Sequence, residues 1–285
     1  MTTSSHRADT GRGGRNLILR VISAAVLVPV VLALAYVGGW PFLILCALGS
    51  IGILWEWTRL AAGGSDFAVL APGWASLLAA FAFTGVDMPG LAVTAVAIGA
   101  ALAAMAAAKR PAFRWAWAAA GVMYAGVAFF GPALLRRDAE LGFEAFLFVA
   151  ATVWMTDTLA YFAGRALGGP LLWPRVTPNK TWSGVAGGLA GGLAGGTLVA
   201  YANGLGRLAV VGVVALVLSA GAQAGDLLES AVKRRFGAKD TSQLIPGHGG
   251  LMDRLDGFLV AALVALLIGI CRQGTDAPAH GLLVW

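Results

Sequence analysis

"MDRLDGFLVAALVALLIGICR", Met252 to Arg272, changes character after its first five residues. Two aspartates and an arginine open it, and from Gly257 to Cys271 no charged residue follows. A run this continuous lacks the alternation of a barrel strand and has the composition of a helix crossing a bilayer. Working outward, comparable runs recur at roughly 17–37, 40–58, 67–86, 89–108, 113–134, 143–164, 183–202 and 205–225, with 257–272 as the last and shortest. Pro72 and Gly73 leave a shorter or kinked helix open in the third. The expected fold is therefore all-α, a polytopic integral membrane bundle of about nine transmembrane helices. Composition agrees: 59% of the 285 residues are hydrophobic and 12% charged, against about 25% charged in soluble domains.

The cations choose an orientation. With the N-terminus in the cytoplasm, sixteen of the 20 Lys and Arg fall on the inner side, leaving Arg136, Arg137, Arg207 and Arg272 outside. The net charge of +6 then reflects loops facing anionic lipid, and no nucleic-acid partner is expected. Residues 1–15 read as a disordered cytoplasmic tail, and the run that follows, despite Ala33-Leu34-Ala35, as an uncleaved first helix. Residues 16–142 form an N-terminal set of spans. Residues 143–273 form a C-terminal region with long cytoplasmic connections at 165–182 and 226–256, and 274–285 are a tail. Cys46 and Cys271 lie in apolar runs without metal or redox spacing. In "GVAGGLAGGLAGG", Gly184, Gly188, Gly192 and Gly196 share one helix face beside Gly187, Gly191 and Gly195. This is a close-packing surface rather than a phosphate loop, and its partner could be another subunit.

Carboxylates are scarce, fourteen in all, yet Asp226, Glu229, Asp240, Asp253 and Asp256 crowd the end of the eighth span and the start of the ninth. Ionisable groups near a membrane are costly unless paired or liganded, so this cluster is a functional candidate, with a structural salt-bridge cluster as the alternative. Asp226, Glu229, Ser230 and Lys233 share one helix face, and Asp253 and Asp256 stand one turn apart. Carboxylates on facing helix ends offer hard oxygen ligands for Mg²⁺, and Lys233, Arg234, Arg235, Lys239 and Arg254 offer cations to a phosphate-rich substrate. Gly247, Gly249 and Gly250 let backbone N–H groups approach an anion. His248 suits either a phosphate contact or a hydrogen bond holding the loop; without a Cys or a second His nearby, zinc is not expected. In the other connection, Asp157, Tyr161 and Arg165 recur at four-residue intervals. "TPNKTW" then places Lys180 before the glycine-rich helix, with Thr181 and Ser183 as N-cap candidates at a natural anion site.

"SAVKRRFGAKDTSQLIPGHGGLMDRLD", Ser230 to Asp256, resembles the signature of the CDP-diacylglycerol synthase (phosphatidate cytidylyltransferase) family. Ser230, Lys233, Arg234, Lys239, Asp240, His248, Gly249, Gly250, Asp253, Arg254 and Asp256 occupy its fixed positions, and Asp226 and Glu229 fit the segment before it. Asp157, Tyr161, Gly164 and Arg165 match a second motif, and Lys180 and Thr181 a third. Gly169 and Ser183 depart from the family pattern. The resemblance covers about 155–257 and implies Mg-dependent transfer of CMP from CTP to phosphatidate, giving CDP-diacylglycerol and pyrophosphate in phospholipid biosynthesis. It further implies Asp226, Asp253 and Asp256 at the metal, a second cation being left open, with Lys233 joining them in catalysis. Substrate contacts are implied for Asp157, Tyr161, Arg165, Lys180, Thr181, Glu229, Ser230, Arg234, Lys239, Asp240, His248, Gly249, Gly250 and Arg254. A homodimer, a bacterial inner membrane and an active site on the cytoplasmic side complete the expectation. Two rivals are a CTP-dependent polyprenol kinase, which would move the γ-phosphate, and a non-catalytic anion transporter with polar groups at mid-membrane and inverted repeats.

Overall fold

Glycine and proline punctuation divides the apolar chain into helices. The computed structural model describes residues 6–62, 66–109, 114–245 and 249–285. Helix α1 is His6–Val37 and α2 Gly39–Ala62, with Gly38 and Gly39 turning between them at positive φ. Next come α3 (Phe67–Gly85), α4 (Pro89–Ala108) and α5 (Trp115–Arg137). Asp66 caps α3 through the Ala68 N–H at 3.0 Å. Proline opens α4 in the first helical turn, where a missing N–H costs nothing. Helix α6 is Gly142–Leu167, α7 Trp182–Ala202, α8 Leu208–Arg235, α9 Met252–Gln273 and α10 Pro278–Leu283. Among the described residues eight helices, α2 to α9, are long and apolar enough to cross a membrane, and α1 adds the apolar stretch Val21–Val37. The chain is an integral membrane helical bundle.

Two apolar cores sit side by side. One is built by α2 to α5, with Ile53, Leu77, Val122 and Phe129 fully buried. The other is built by α6 to α10, with Phe148, Val211, Leu218 and Leu282 at its centre. Leu259 of α9 lies in the first core, and Ala261 and Ala265, two and six residues on, lie in the second. Helix α9 therefore joins the halves. Pro72 lies inside a continuous α3 rather than ending it.

The glycine face of α7 is occupied within the chain. A Cβ on Gly191 would lie 2.3 Å from the Met155 carbonyl oxygen of α6, and one on Gly195 2.7 Å from that of Ala151. On Gly192 it would meet Ser219 of α8 at 2.5 Å. Close packing was legible, but these partners are α6 and α8, not a second subunit. A polar thread crosses the same contact, with Thr156 Oγ1 2.7 Å from Ser219 Oγ and Ser219 Oγ 3.2 Å from the Gly188 carbonyl.

Other departures concentrate where apolar runs end. Helix α8 continues to Arg235 and α9 begins at Met252, so several polar residues of the expected connection are helical. The 165–182 connection contains an antiparallel hairpin, β1 (Leu171–Trp173) and β2 (Thr177–Thr181), pairing Leu171 with Thr181. Helix α1 begins inside the segment expected to be disordered, and α10 lies within the expected tail.

Candidate active site

The C-terminal ends of α2, α6 and α8 and the N-terminal ends of α7 and α9 meet at one end of the bundle. The opposite end is tied separately. There Arg136 of α5 donates to the Tyr36 carbonyl at 2.9 Å, and His280 of α10 approaches Asp138.

Two polar clusters form at the first end. In one, Asp226 of α8 is ion-paired with Lys180, which the β2 strand delivers just ahead of α7. Ser230, one turn along α8, lies 3.4 Å from Asp226. Asp157 of α6 lies in the electrostatic field of Asp226, Lys180 and Arg254, and Asp256 of α9 in that of Asp226 and Asp157. Carboxylates on three helices are thus electrostatically coupled, Lys180 and Arg254 offset the charge around Asp157, and a side-chain hydrogen bond between Asp256 and Glu229 links this group to the next. Gly225 permits the approach of α8 to α9, since a Cβ there would stand 2.6 Å from the Asp256 carbonyl oxygen.

In the second cluster, Lys233 bridges Glu229 of its own helix and Asp253 of α9, at 2.7 Å to each. The Asp253 carboxylate is otherwise held by the loop before α9. Its Oδ2 accepts from the Thr241 N–H (3.0 Å), the Thr241 hydroxyl (3.0 Å) and the Gly250 N–H (2.9 Å). Lys233 and Asp253 are nearly buried and Glu229 almost completely.

The remaining candidates are placed as follows. Thr181 caps α7, accepting from the Gly184 N–H at 3.1 Å, and Ser183 donates to the Gly168 carbonyl. Gly168 and Gly169, at φ +60° and +107°, end α6 in a conformation few side chains adopt, so the departure at 169 has a backbone reason. Tyr161 and Arg165 are exposed and bonded to each other at 2.9 Å. Arg234 donates to the Val176 and Ala238 carbonyls, tying α8 to the hairpin. Lys239 and Asp240 line a cavity of about 720 Å³ with Trp55, Arg59 and Ser242, walls that include none of Asp226, Asp253 or Asp256. Gly249 pairs with Ile245 across the loop. Gly247 and His248 lie outside the described residues.

One residue was missed. Glu56 of α2, fully buried, accepts hydrogen bonds from the loop before α9. The available signal was a lone carboxylate inside the apolar run "ILWEWTRL".

The donor chemistry suits a hard divalent cation. Asp157, Asp226 and Asp256 offer oxygen only, and their mutual repulsion is relieved by positive charge. Among the described residues no three of His, Cys, Asp and Glu are close enough to hold a metal unaided.

A multi-span helical bundle with carboxylates and cations gathered together defines an integral membrane protein with a charged site at one end of its bundle. Comparison with known proteins narrows the class. The model of the cytidylyltransferase family matches residues 18–271. A protein of Brucella suis biovar 1 named phosphatidate cytidylyltransferase is 42% identical over 268 residues, covering 93% of this chain and 97% of that one. A protein of the same name from Brucella abortus is 43% identical over 258 residues, 89% and 93% of the two chains. One from Bacillus subtilis is 35% identical over 138 residues, about half of each. The chain belongs to the cytidylyltransferase family and is a membrane nucleotidyltransferase.

Proposed function

We propose that this chain transfers CMP from CTP to phosphatidate, releasing pyrophosphate and leaving CDP-diacylglycerol in the membrane, as a step of phospholipid biosynthesis. The observation that carries the reading is the gathering of ion-paired groups at one end of the bundle, Lys180 with Asp226 and Lys233 with Glu229 and Asp253. A soluble nucleotide and a lipid headgroup can meet there. The names of the Brucella relatives support both substrates.

The chemistry follows from the charges. A phosphatidate oxygen attacks the α-phosphorus of CTP in line, a new P–O bond forms, and the bond to the β-phosphate breaks. The attacking oxygen is largely ionised at neutral pH, since a phosphomonoester has a second pKa near ~6, so no dedicated base is required. The obstacle is the approach of two anions, which positioned cations relieve. Lys180 and Arg254 would neutralise phosphate oxygens, and Lys233 bridges Asp253 and Glu229. Lys239, Asp240, Tyr161 and Arg165 are exposed and would meet incoming substrate. Mg²⁺ is the cation the carboxylates would hold, supplying charge neutralisation at the transferring phosphoryl group. Asp226 and Asp256 are its first candidate ligands. Asp253 would join them by exchanging its contact with Lys233. By the cation count this end would face the cytoplasm, and the bacterial relatives favour an inner membrane. A homodimer is retained from the resemblance, with an interface other than the glycine face of α7.

The test uses purified protein in detergent with phosphatidate, Mg²⁺ and CTP labelled at either the α- or the γ-phosphate. Label entering lipid from the α-position, with equimolar pyrophosphate and full loss in EDTA, is expected. Label entering only from the γ-position would identify a lipid kinase, and none from either would reject the transfer.

A further inference from the structure

Helix α9 lacks a cap of its own. Leu251 stands at its N-cap position, and the leading N–H groups of the helix are orphaned unless something else accepts from them. Glu56, an α2 residue nearly two hundred positions earlier, does so. Its Oε1 accepts from the Leu251 N–H at 2.8 Å and the Ser242 hydroxyl at 2.5 Å. Its Oε2 accepts from the Met252 N–H at 2.7 Å, with the Thr241 hydroxyl at 3.4 Å. A carboxylate at this position also complements the helix dipole. A local Ser or Asp would cap α9 without burying a charged group from another helix, so capping alone does not account for the arrangement.

The same loop holds Asp253. Thr241 and Gly250 lie between the two carboxylates, and a Cβ on Gly250 would stand 2.0 Å from Thr241 Oγ1, 2.8 Å from Glu56 Oε1 and 3.0 Å from Asp253 Oδ2. Glu56 fixes both ends of the 241–252 loop, that loop fixes the Asp253 oxygens, and Asp253 engages Lys233 and through it Glu229. We propose that Glu56 is a positioning residue for cytidylyl transfer, setting the Asp253 carboxylate from the opposite half of the molecule through the loop it clamps. This rests on the reaction proposed above. It assigns a role in that reaction to α2, outside the segment that carries the signature.

The test combines kinetics with amide hydrogen exchange on the full chain in detergent. Glu56→Gln keeps the shape but offers one acceptor oxygen, so one pair of donors meets an NH₂ group instead. The expected result is a kcat about 10–100-fold lower, the range typical of groups that orient an active-site ligand, with KM for CTP moving far less. Exchange should quicken in peptides covering 241–252 and stay unchanged in α3 and α4. Ser242→Ala, which removes one donor, should move both readouts in the same direction by less. Wild-type kcat and unchanged loop exchange in Glu56→Gln would overturn the proposal. So would exchange rising alike in α3, α4 and the loop, which describes general loosening. Exchange is read without turnover. A wild type that transfers no CMP would reject the reaction, while the exchange comparison would still decide the clamp. Should Glu56→Gln fail to assemble, Ser242→Ala carries the decision.

Discussion

Lys233 shows what a single side chain does at this end of the bundle. It is the direct cationic partner of two nearly buried carboxylates, Glu229 and Asp253. Removing one member of a buried ion pair strands the other charge, at a cost of about 3–5 kcal/mol. Lys233→Met is therefore expected to lower thermal stability in detergent by about 3 kcal/mol or more. A melting curve matching wild type would contradict the burial argument. At the opposite end, Asp138 gives a pH signature. Burial pushes its carboxyl up, but the N–H groups of Leu141, His280 and Glu140 and the His280 ring outweigh that and hold it below its ordinary value. The folded chain thus keeps Asp138 ionised where the unfolded chain would protonate it. Its contribution is in place above the ordinary carboxylate value near 3.8 and is lost as pH falls through the lower folded value. Melting temperature plotted against pH should fall less steeply on the acid side for Asp138→Asn than for wild type. Parallel acid limbs would contradict this. At this scale the acidic and basic residues of α8 and α9 were legible because their spacing places them on shared faces. Glu56 was not, because its partners lie nearly two hundred residues away and nothing local marks them.

Helices that approach closely set the distance between those side chains. Gly191 of α7 sits against the Met155 backbone carbonyl, which cannot swing aside. Gly191→Ala therefore forces α7 from α6 and should cost about 1–3 kcal/mol. CMP transfer should fall with it, because Lys180 lies in β2 two residues before α7 begins. Gly206→Ala, with nothing within 4 Å of its added carbon, is the control that should change neither. If the two behave alike, the glycine contact does not set the site. The membrane-spanning cores of these helices were legible as continuous apolar runs. Their polar ends were not, because hydropathy stops at the first charges while backbone hydrogen bonding continues to Arg235 in α8 and starts at Met252 in α9. The hairpin was also hidden. "TPNKT" has turn composition, and its pairing depends on Leu171, ten residues earlier.

The whole molecule divides its charge between two ends, and the candidate site belongs to the cation-rich one. If that end is cytoplasmic, a membrane-impermeant thiol reagent on intact cells should label Thr275→Cys and spare Gln243→Cys, in a background with Cys271 replaced by Ser. Both new thiols lie at exposed positions. The reverse pattern would invert the topology. The cation counts supply the orientation this labelling would test, and the clustering of charged residues at the ends of α8 and α9 was visible in the sequence. The way the N-terminal half closes over the loop from α2 came only with the fold.

The most direct test measures α-labelled CMP transfer to phosphatidate by wild type, Asp226→Asn and Asp256→Asn, each first shown to melt like the parent. The account predicts transfer by wild type and a loss of at least about a hundredfold in both variants, since each removes a charge from the three-helix cluster. Folded variants that transfer CMP at the wild-type rate would place the chemistry elsewhere in the molecule.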